Sequence, residues 1–254
     1  MRMFSWHFIR VWQRNATVFF KLWHVEAPGF IVEPILILFA VGLGLGAYVG
    51  MVDGQSYIEF VAPGMIAGYA MFSACFECTY ASYFRMEYQK TFDAVLSTPL
   101  TVEDVIAGEI TWGATRAALT GTAMLIISAF FGLVHSPWAA LIPVVAFLEG
   151  LVFASIALFF TSLVPYIYSY NYFFSLFVTP MFYFSGVFFP LDQFPAIVQN
   201  LSWVAPLTPV VYLLRATMTG NFSLTTLWAL LLVILLICVF FGITLVTMRR
   251  RLTR

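Results

Sequence analysis

The sequence predicts an all-α polytopic membrane protein with six transmembrane helices, and three observations carry that prediction. First, 62% of its 254 residues are hydrophobic and 9% are charged, against about 25% charged in an ordinary soluble domain. A water-soluble fold of this size cannot hide so much apolar surface. Second, six apolar runs long enough to cross a bilayer occupy residues 30–52, 58–84, 106–134, 138–163, 167–188 and 225–248; crossing takes about 20 residues, each rising ~1.5 Å. Third, the basic residues are asymmetric. Arg2, Arg10, Arg14 and Lys21 precede the first run, Arg85 and Lys90 follow the second, and Arg249, Arg250, Arg251 and Arg254 follow the sixth, whereas the opposite loops hold Arg215 alone. An excess of Lys and Arg marks the cytoplasmic side, so both termini are expected there and the number of spans is even. The length suits one membrane domain, residues 1–254, without a separate soluble domain.

The elements follow in chain order. Over residues 4–24, Arg10, Arg14, Thr17, Lys21 and His24 recur at helical spacing opposite Phe8, Trp12, Phe19 and Leu22. A basic amphipathic helix of that kind lies in the membrane interface. The first span carries Gly42, Gly46 and Gly50 at intervals of four, a bare stripe that lets another helix approach closely. Gly42, Gly44 and Gly46 do not form a nucleotide loop, because no strand precedes them and the spacing differs. The second span contains Glu77 between Cys75 and Cys78; a zinc site would need further ligands. All three cysteines, Cys238 included, lie in apolar runs, so no disulfide framework is expected.

Residues 86–109 form the one sizeable charged segment between spans. They read as a short helix to Leu96, a break at Ser97-Thr98-Pro99, and a new helix opened by a Thr101–Asp104 capping box. Any soluble cytoplasmic partner is expected to dock here. Arg116 in the third span and Glu149 in the fourth join Glu77 as charges well inside apolar runs. Each must face protein, water or an opposite charge, and Arg116 is expected to pair with Glu77 or Glu149. Pro165 marks the boundary before the fifth span, which is crowded with aromatics from Tyr166 to Phe184. Residues 186–224 are nearly uncharged and interrupted by Pro190, Pro195, Pro206 and Pro209. They are too apolar for a solvated loop and too short to span, so a re-entrant helical hairpin over 186–218 is expected.

No serine-hydrolase elbow, H-E-x-x-H pair or Walker A loop is present. The chain works passively, couples to an ion gradient, or takes energy from a partner.

Taken together, the pattern resembles an ABC-2 type exporter permease, nearest the NodJ-like branch that exports lipo-chitooligosaccharides. The resemblance runs over roughly residues 30–220. It is carried by Glu33-Pro34, by Phe84-Arg85-Met86-Glu87, by the stretch from Phe92 to Thr115, and by Ser185-Gly186, Phe189-Pro190-Leu191-Asp192 and Pro206-Leu207-Thr208 with Arg215. Pro209 departs from the family signature, which has His, Arg, Ser or Tyr there; substrate identity therefore does not transfer.

The resemblance implies two copies of the permease, two copies of a separate cytosolic ATPase that binds ATP and magnesium, and no cofactor, metal or nucleic acid on this chain. It implies a bacterial inner-membrane location and a coupling segment at 88–104, touching the ATPase through Thr91, Phe92, Asp93, Leu96, Thr98, Pro99, Leu100 and Glu103. Gly42, Gly46, Tyr172, Phe173, Phe177 and Phe182 would border the path of an amphipathic substrate (lipo-oligosaccharide, glycolipid or hydrophobic drug). The outer hairpin, with Gly186, Pro190, Asp192, Pro206 and Arg215, would close the exit. The competing reading is an ion-coupled secondary carrier with Glu77 and Glu149 as proton sites, although the sequence shows no internal repeat. A membrane-embedded enzyme is disfavoured because no catalytic pair converges.

Overall fold

A computed structural model describes residues 6–52 and 54–253, which are helical almost throughout. Arg2, Arg254 and residues 4–5 of the expected interfacial helix lie outside the described residues.

Helix α1 (Phe8–Phe39) is one unbroken element of 32 residues. This corrects the expectation of a separate interfacial helix over 4–24 followed by a span from residue 30. Pro28 and Pro34 lie inside α1; prolines are tolerated in membrane helices where neighbouring groups re-satisfy the freed carbonyls. Nor is the polar stripe wholly solvated: Asn15 turns inward with Val11, Ala16 and Phe19, while Arg10, Thr17, Lys21 and His24 face out. A π turn over Ala40–Leu45 and the short α2 (Gly46–Val49) complete this arm. Gly50, at φ 71°, then turns the chain into a two-stranded antiparallel ladder, β1 (Met51–Val52) with β2 (Gln55–Ser56). The all-α expectation missed this small hairpin, because two-residue strands leave no periodicity to read.

Helix α3 (Tyr57–Phe76) is capped by Glu59, whose Oε2 accepts from the Ser56 N–H at 2.8 Å. Two π turns, Glu77–Ala81 and Phe84–Tyr88, extend it. The short α4 (Thr91–Leu96) and the turn at residues 97–100 lead into α5 (Val102–Phe130), opened by the reciprocal Thr101–Asp104 cap. Helix α6 (Ile142–Leu163), preceded by a 3-10 turn at Pro137–Leu141, stops before Pro165. The expected fifth span, 167–188, is made of pieces. A 3-10 turn (Ile167–Ser169), α7 (Tyr170–Phe173), a π turn (Phe174–Val178) and α8 (Thr179–Phe184) follow one another. In the predicted hairpin, α9 (Ala196–Ser202) and α10 (Leu207–Thr219) meet at 85°. Helix α11 (Leu224–Leu252) closes the chain.

Among the described residues, four helices are long and apolar enough to cross a membrane: Tyr57–Tyr88, Val102–Phe130, Pro137–Leu163 and Leu224–Leu252. The bent α9–α10 pair makes a fifth if it counts as one span. The expected first and fifth spans are not among these four.

Helices α3, α5 and α6 form the centre, with α1 against α5, α11 against α6, and α10 against α3 and α11. Their contact is a seam of small residues. A Cβ on Gly150 would meet the Ala114 Cα at 2.5 Å, one on Gly121 the Ala146 Cβ at 2.7 Å, and one on Gly113 the Cys78 Sγ at 2.6 Å. Lipid offers no hydrophobic drive between helices, so close backbone approach and dispersion hold them together.

Candidate functional site

The segment expected to couple to a partner, residues 88–104, is anchored at its base. Lys90, at φ 52°, turns the chain out of the helical path after Gln89. Phe92 then plugs into the bundle and is 1% exposed. This corrects its expected role as a partner contact: the ring faces inward and anchors α4. Thr91, Leu96, Leu100 and Glu103 are half-buried, and the open face presents Asp93, Ala94, Ser97, Thr98 and Pro99. Glu103 is occupied within the chain, 3.2 Å from Arg249 Nη1.

Both flanks of this segment are tied by buried charge. Glu109, on the second turn of α5, is fully buried. Its Oε1 accepts from Asn15 Nδ2 at 2.9 Å and from Arg14 Nη2 at 3.2 Å. Its Oε2 accepts from Ser82 Oγ at 2.6 Å and from Arg85 Nη2 at 2.6 Å. Arg85 Nη1 in turn donates to Glu77 Oε1 at 2.8 Å, and Arg116 Nε lies 3.6 Å from Glu77 Oε2. The result is an alternating chain, Arg14–Glu109–Arg85–Glu77–Arg116, across α1, α5 and the extended α3. The π turns insert extra residues into that last helix and rephase its faces. Charges with several hydrogen bonds each are tolerated at such depth, whereas one left alone is not. A push on α4 must therefore move the end of the α3 extension and the start of α5 together.

Of the two partners expected for Arg116, the structure brings Glu77 close and leaves Glu149 apart. Glu149 is fully buried on α6, and neither of its oxygens has a hydrogen-bond partner among the described residues. Arg116 also lies over the Phe19 ring, 4.6 Å from its centroid.

The Glu77–Arg116 pair borders a cavity of about 860 Å³, lined on one side by Glu33 and on the other by Tyr69, Phe72, Phe76 and Tyr80. Its aromatic wall is stacked: Phe76 lies 4.3 Å from Phe174 and 5.8 Å from Tyr80, centroid to centroid. The residues expected along a path divide between places. Phe182 lines this cavity, while Tyr172, Phe173 and Phe177 line a separate apolar groove of about 360 Å³ against α6 and α11. Gly42 and Gly46 line neither; they lie against Ile58 and Tyr57 at the start of α3. The close helix contact that Gly42 permits is intramolecular.

In the hairpin expected on the outer side, Gly186 sits at φ 79° and its carbonyl accepts from Arg215 Nη2 at 3.1 Å. The same guanidinium stacks 4.1 Å over Phe60. Arg215 thus fastens α10 to the start of α3. Pro190 and Asp192 form the 3-10 turn at Leu191–Gln193, and Pro206 precedes α10 at the 85° bend.

Sequence reasoning missed Glu109, Asn15 and Glu33 as site residues and read Arg14 and Arg85 as loop or interface charges. One signal was available. Glu109 stands in the small, apolar context Ala107-Gly108-Glu109-Ile110, where an acid with no buried partner would be costly.

The sequence pattern that defines the ABC-2 type transporter family matches residues 7–219. The chain is 40% identical to a nodulation protein J from Rhizobium leguminosarum biovar viciae over 254 residues, covering 98% of this chain and 96% of that protein. It is 42% identical to a nodulation protein J from Sinorhizobium fredii over 217 residues, 84% of this chain and 81% of that one. The inner membrane transport permease YadH of Escherichia coli is 27% identical over 220 residues, 83% of this chain and 80% of YadH.

Proposed function

The chain belongs to the ABC-2 type transporter family, whose membrane subunits have no ATPase of their own and pair with ABC ATPases; from that premise we propose that it drives export of an amphipathic substrate from the cytoplasmic side. In this reading two copies pair with two ATPase subunits in a bacterial inner membrane, with both termini cytoplasmic and six crossings. The α9–α10 hairpin is re-entrant and closes the outer end. The carrying observation is the coupling segment: a short helix and turn with an open face of Asp93, Thr98 and Pro99, gripped on both flanks by buried and half-buried ion pairs. Such an element transmits displacement instead of absorbing it. The cavity beside Glu77 and Arg116 fits the substrate class, since its aromatic wall accepts acyl chains and sugar faces while one edge stays polar.

Co-purification tests this. The tagged permease is expected to bring down a cytosolic ABC ATPase in equal molar amount, and Asp93→Arg is expected to abolish that association while the permease remains folded. Transport by the permease alone in liposomes, driven by a pH gradient, would overturn the reading in favour of a carrier.

A further inference from the structure

The last helix ends in three consecutive arginines, two of which are engaged. Arg249 Nη1 lies 3.2 Å from Glu103 Oε1, and Arg251 Nη2 lies 2.8 Å from Glu87 Oε1. Arg251 also donates to the carbonyl oxygens of Thr161 and Val164 at the end of α6. Arg250 is exposed and makes no ion pair or hydrogen bond among the described residues. It lines a cavity of about 380 Å³ between residues 162–165 on one side and Thr247, Arg250 and Arg251 on the other. Arginines at the end of a 29-residue apolar helix lie at a bilayer surface, because charge is excluded from the hydrocarbon.

The same seam continues into the apolar layer. Phe159 stands three residues before Ser162 on α6, and Phe240 seven before Thr247 on α11. Both line the groove shared with Phe160, Phe173 and Phe177. Those intervals rise about 4.5 and about 10.5 Å along their helices, so the groove begins directly beneath the basic cavity. A cation at the surface with an aromatic trough below suits a ligand that is anionic at one end and a hydrocarbon chain at the other.

We propose that the α6–α11 seam binds an anionic phospholipid, its phosphate on Arg250 and an acyl chain along Phe159, Phe173 and Phe240. Arg251, neutralised by Glu87, holds the end of α6 and leaves Arg250 as the charge available to a ligand. A free phosphate leaves the groove unused, and a zwitterionic headgroup brings a cation towards Arg250.

The test reconstitutes the permease in vesicles of equal phosphatidylglycerol and phosphatidylcholine, extracts it in mild detergent, and weighs the intact protein with its retained lipid. The wild type is expected to retain phosphatidylglycerol in preference. Arg250→Gln should lower that retention about fivefold, the loss expected for one basic residue at an anionic surface. Arg249→Gln removes the same charge outside the cavity, at an exposed pair of small energetic weight, and should retain as the wild type does. Phe173→Ala should lower retention while keeping the preference. Equal retention by Arg250→Gln, equal loss in Arg249→Gln, or no preference over phosphatidylcholine would overturn the proposal. Displacement of the lipid by inorganic phosphate would reassign the site to a free anion.

Discussion

Replacing Glu109 by alanine leaves the Arg14 and Arg85 guanidiniums without the carboxylate both contact. Breaking a buried pair from one side costs about 3–5 kcal/mol. The purified Glu109→Ala permease is therefore expected to unfold at clearly lower temperature than the wild type, with Glu109→Gln intermediate because Asn15 and Ser82 keep a hydrogen-bonding partner; an unchanged melting temperature would show that the network does not hold the fold. Glu149 gives the opposite expectation. Its carboxyl is buried without a hydrogen-bond partner among the described residues, so Glu149→Gln should leave stability unchanged or raised and ATP-driven export intact. Export abolished by that change alone, in a permease that still binds its ATPase, would favour a carrier in which Glu149 takes up protons. The sequence singled out Glu77, Arg116 and Glu149 because they stand deep in apolar runs. It passed over Glu109 and Arg85 because each stands at the margin of a run, where hydropathy alone reads a charge as solvated.

At the scale of the elements, the proposal places force transmission on α4 and the helices it joins. Two substitutions separate the inner and outer faces of α4. Phe92→Ala empties a buried site and should destabilise the permease by about 3 kcal/mol, read as a lower midpoint of thermal unfolding. Thr98→Trp, on the exposed turn, should leave that midpoint alone and reduce ATPase retention. On the α5–α6 seam, a side chain at Gly150 meets the backbone of Ala114, which cannot yield as a side-chain tip can. Gly150→Val should cost about 1–3 kcal/mol, seen as lowered recovery of monodisperse protein. The α4 break and the Thr101–Asp104 cap were legible because caps and prolines are local signals. The unbroken α1 was not, since whether a helix survives Pro28 depends on what surrounds it. Nor was the α5–α6 seam: spaced glycines in the first run drew attention, whereas Gly150 and Ala114 become neighbours only when two helices meet.

For the whole molecule, composition alone was enough to place the chain in a bilayer, because lipid is the one solvent that accepts so much apolar surface. The count of crossings was less legible. Hydropathy sums over a run and does not register how 3-10 and π turns cut residues 167–184 into short pieces; four continuous helices plus one bent pair is what length and composition support. The division of the expected path residues between two cavities was likewise hidden, since which face of the aromatic segment turns towards α3 depends on those same turns. The central claim is that the segment from residue 88 to 104 receives force from a cytosolic ATPase. Its most direct measurement is a photoreactive amino acid at Thr98, irradiated in native membranes that contain the ATPase. The account predicts a covalent permease–ATPase adduct that disappears with Asp93→Arg. Label joined to lipid alone, or reached only by a reagent confined to the opposite side of the membrane, would contradict it.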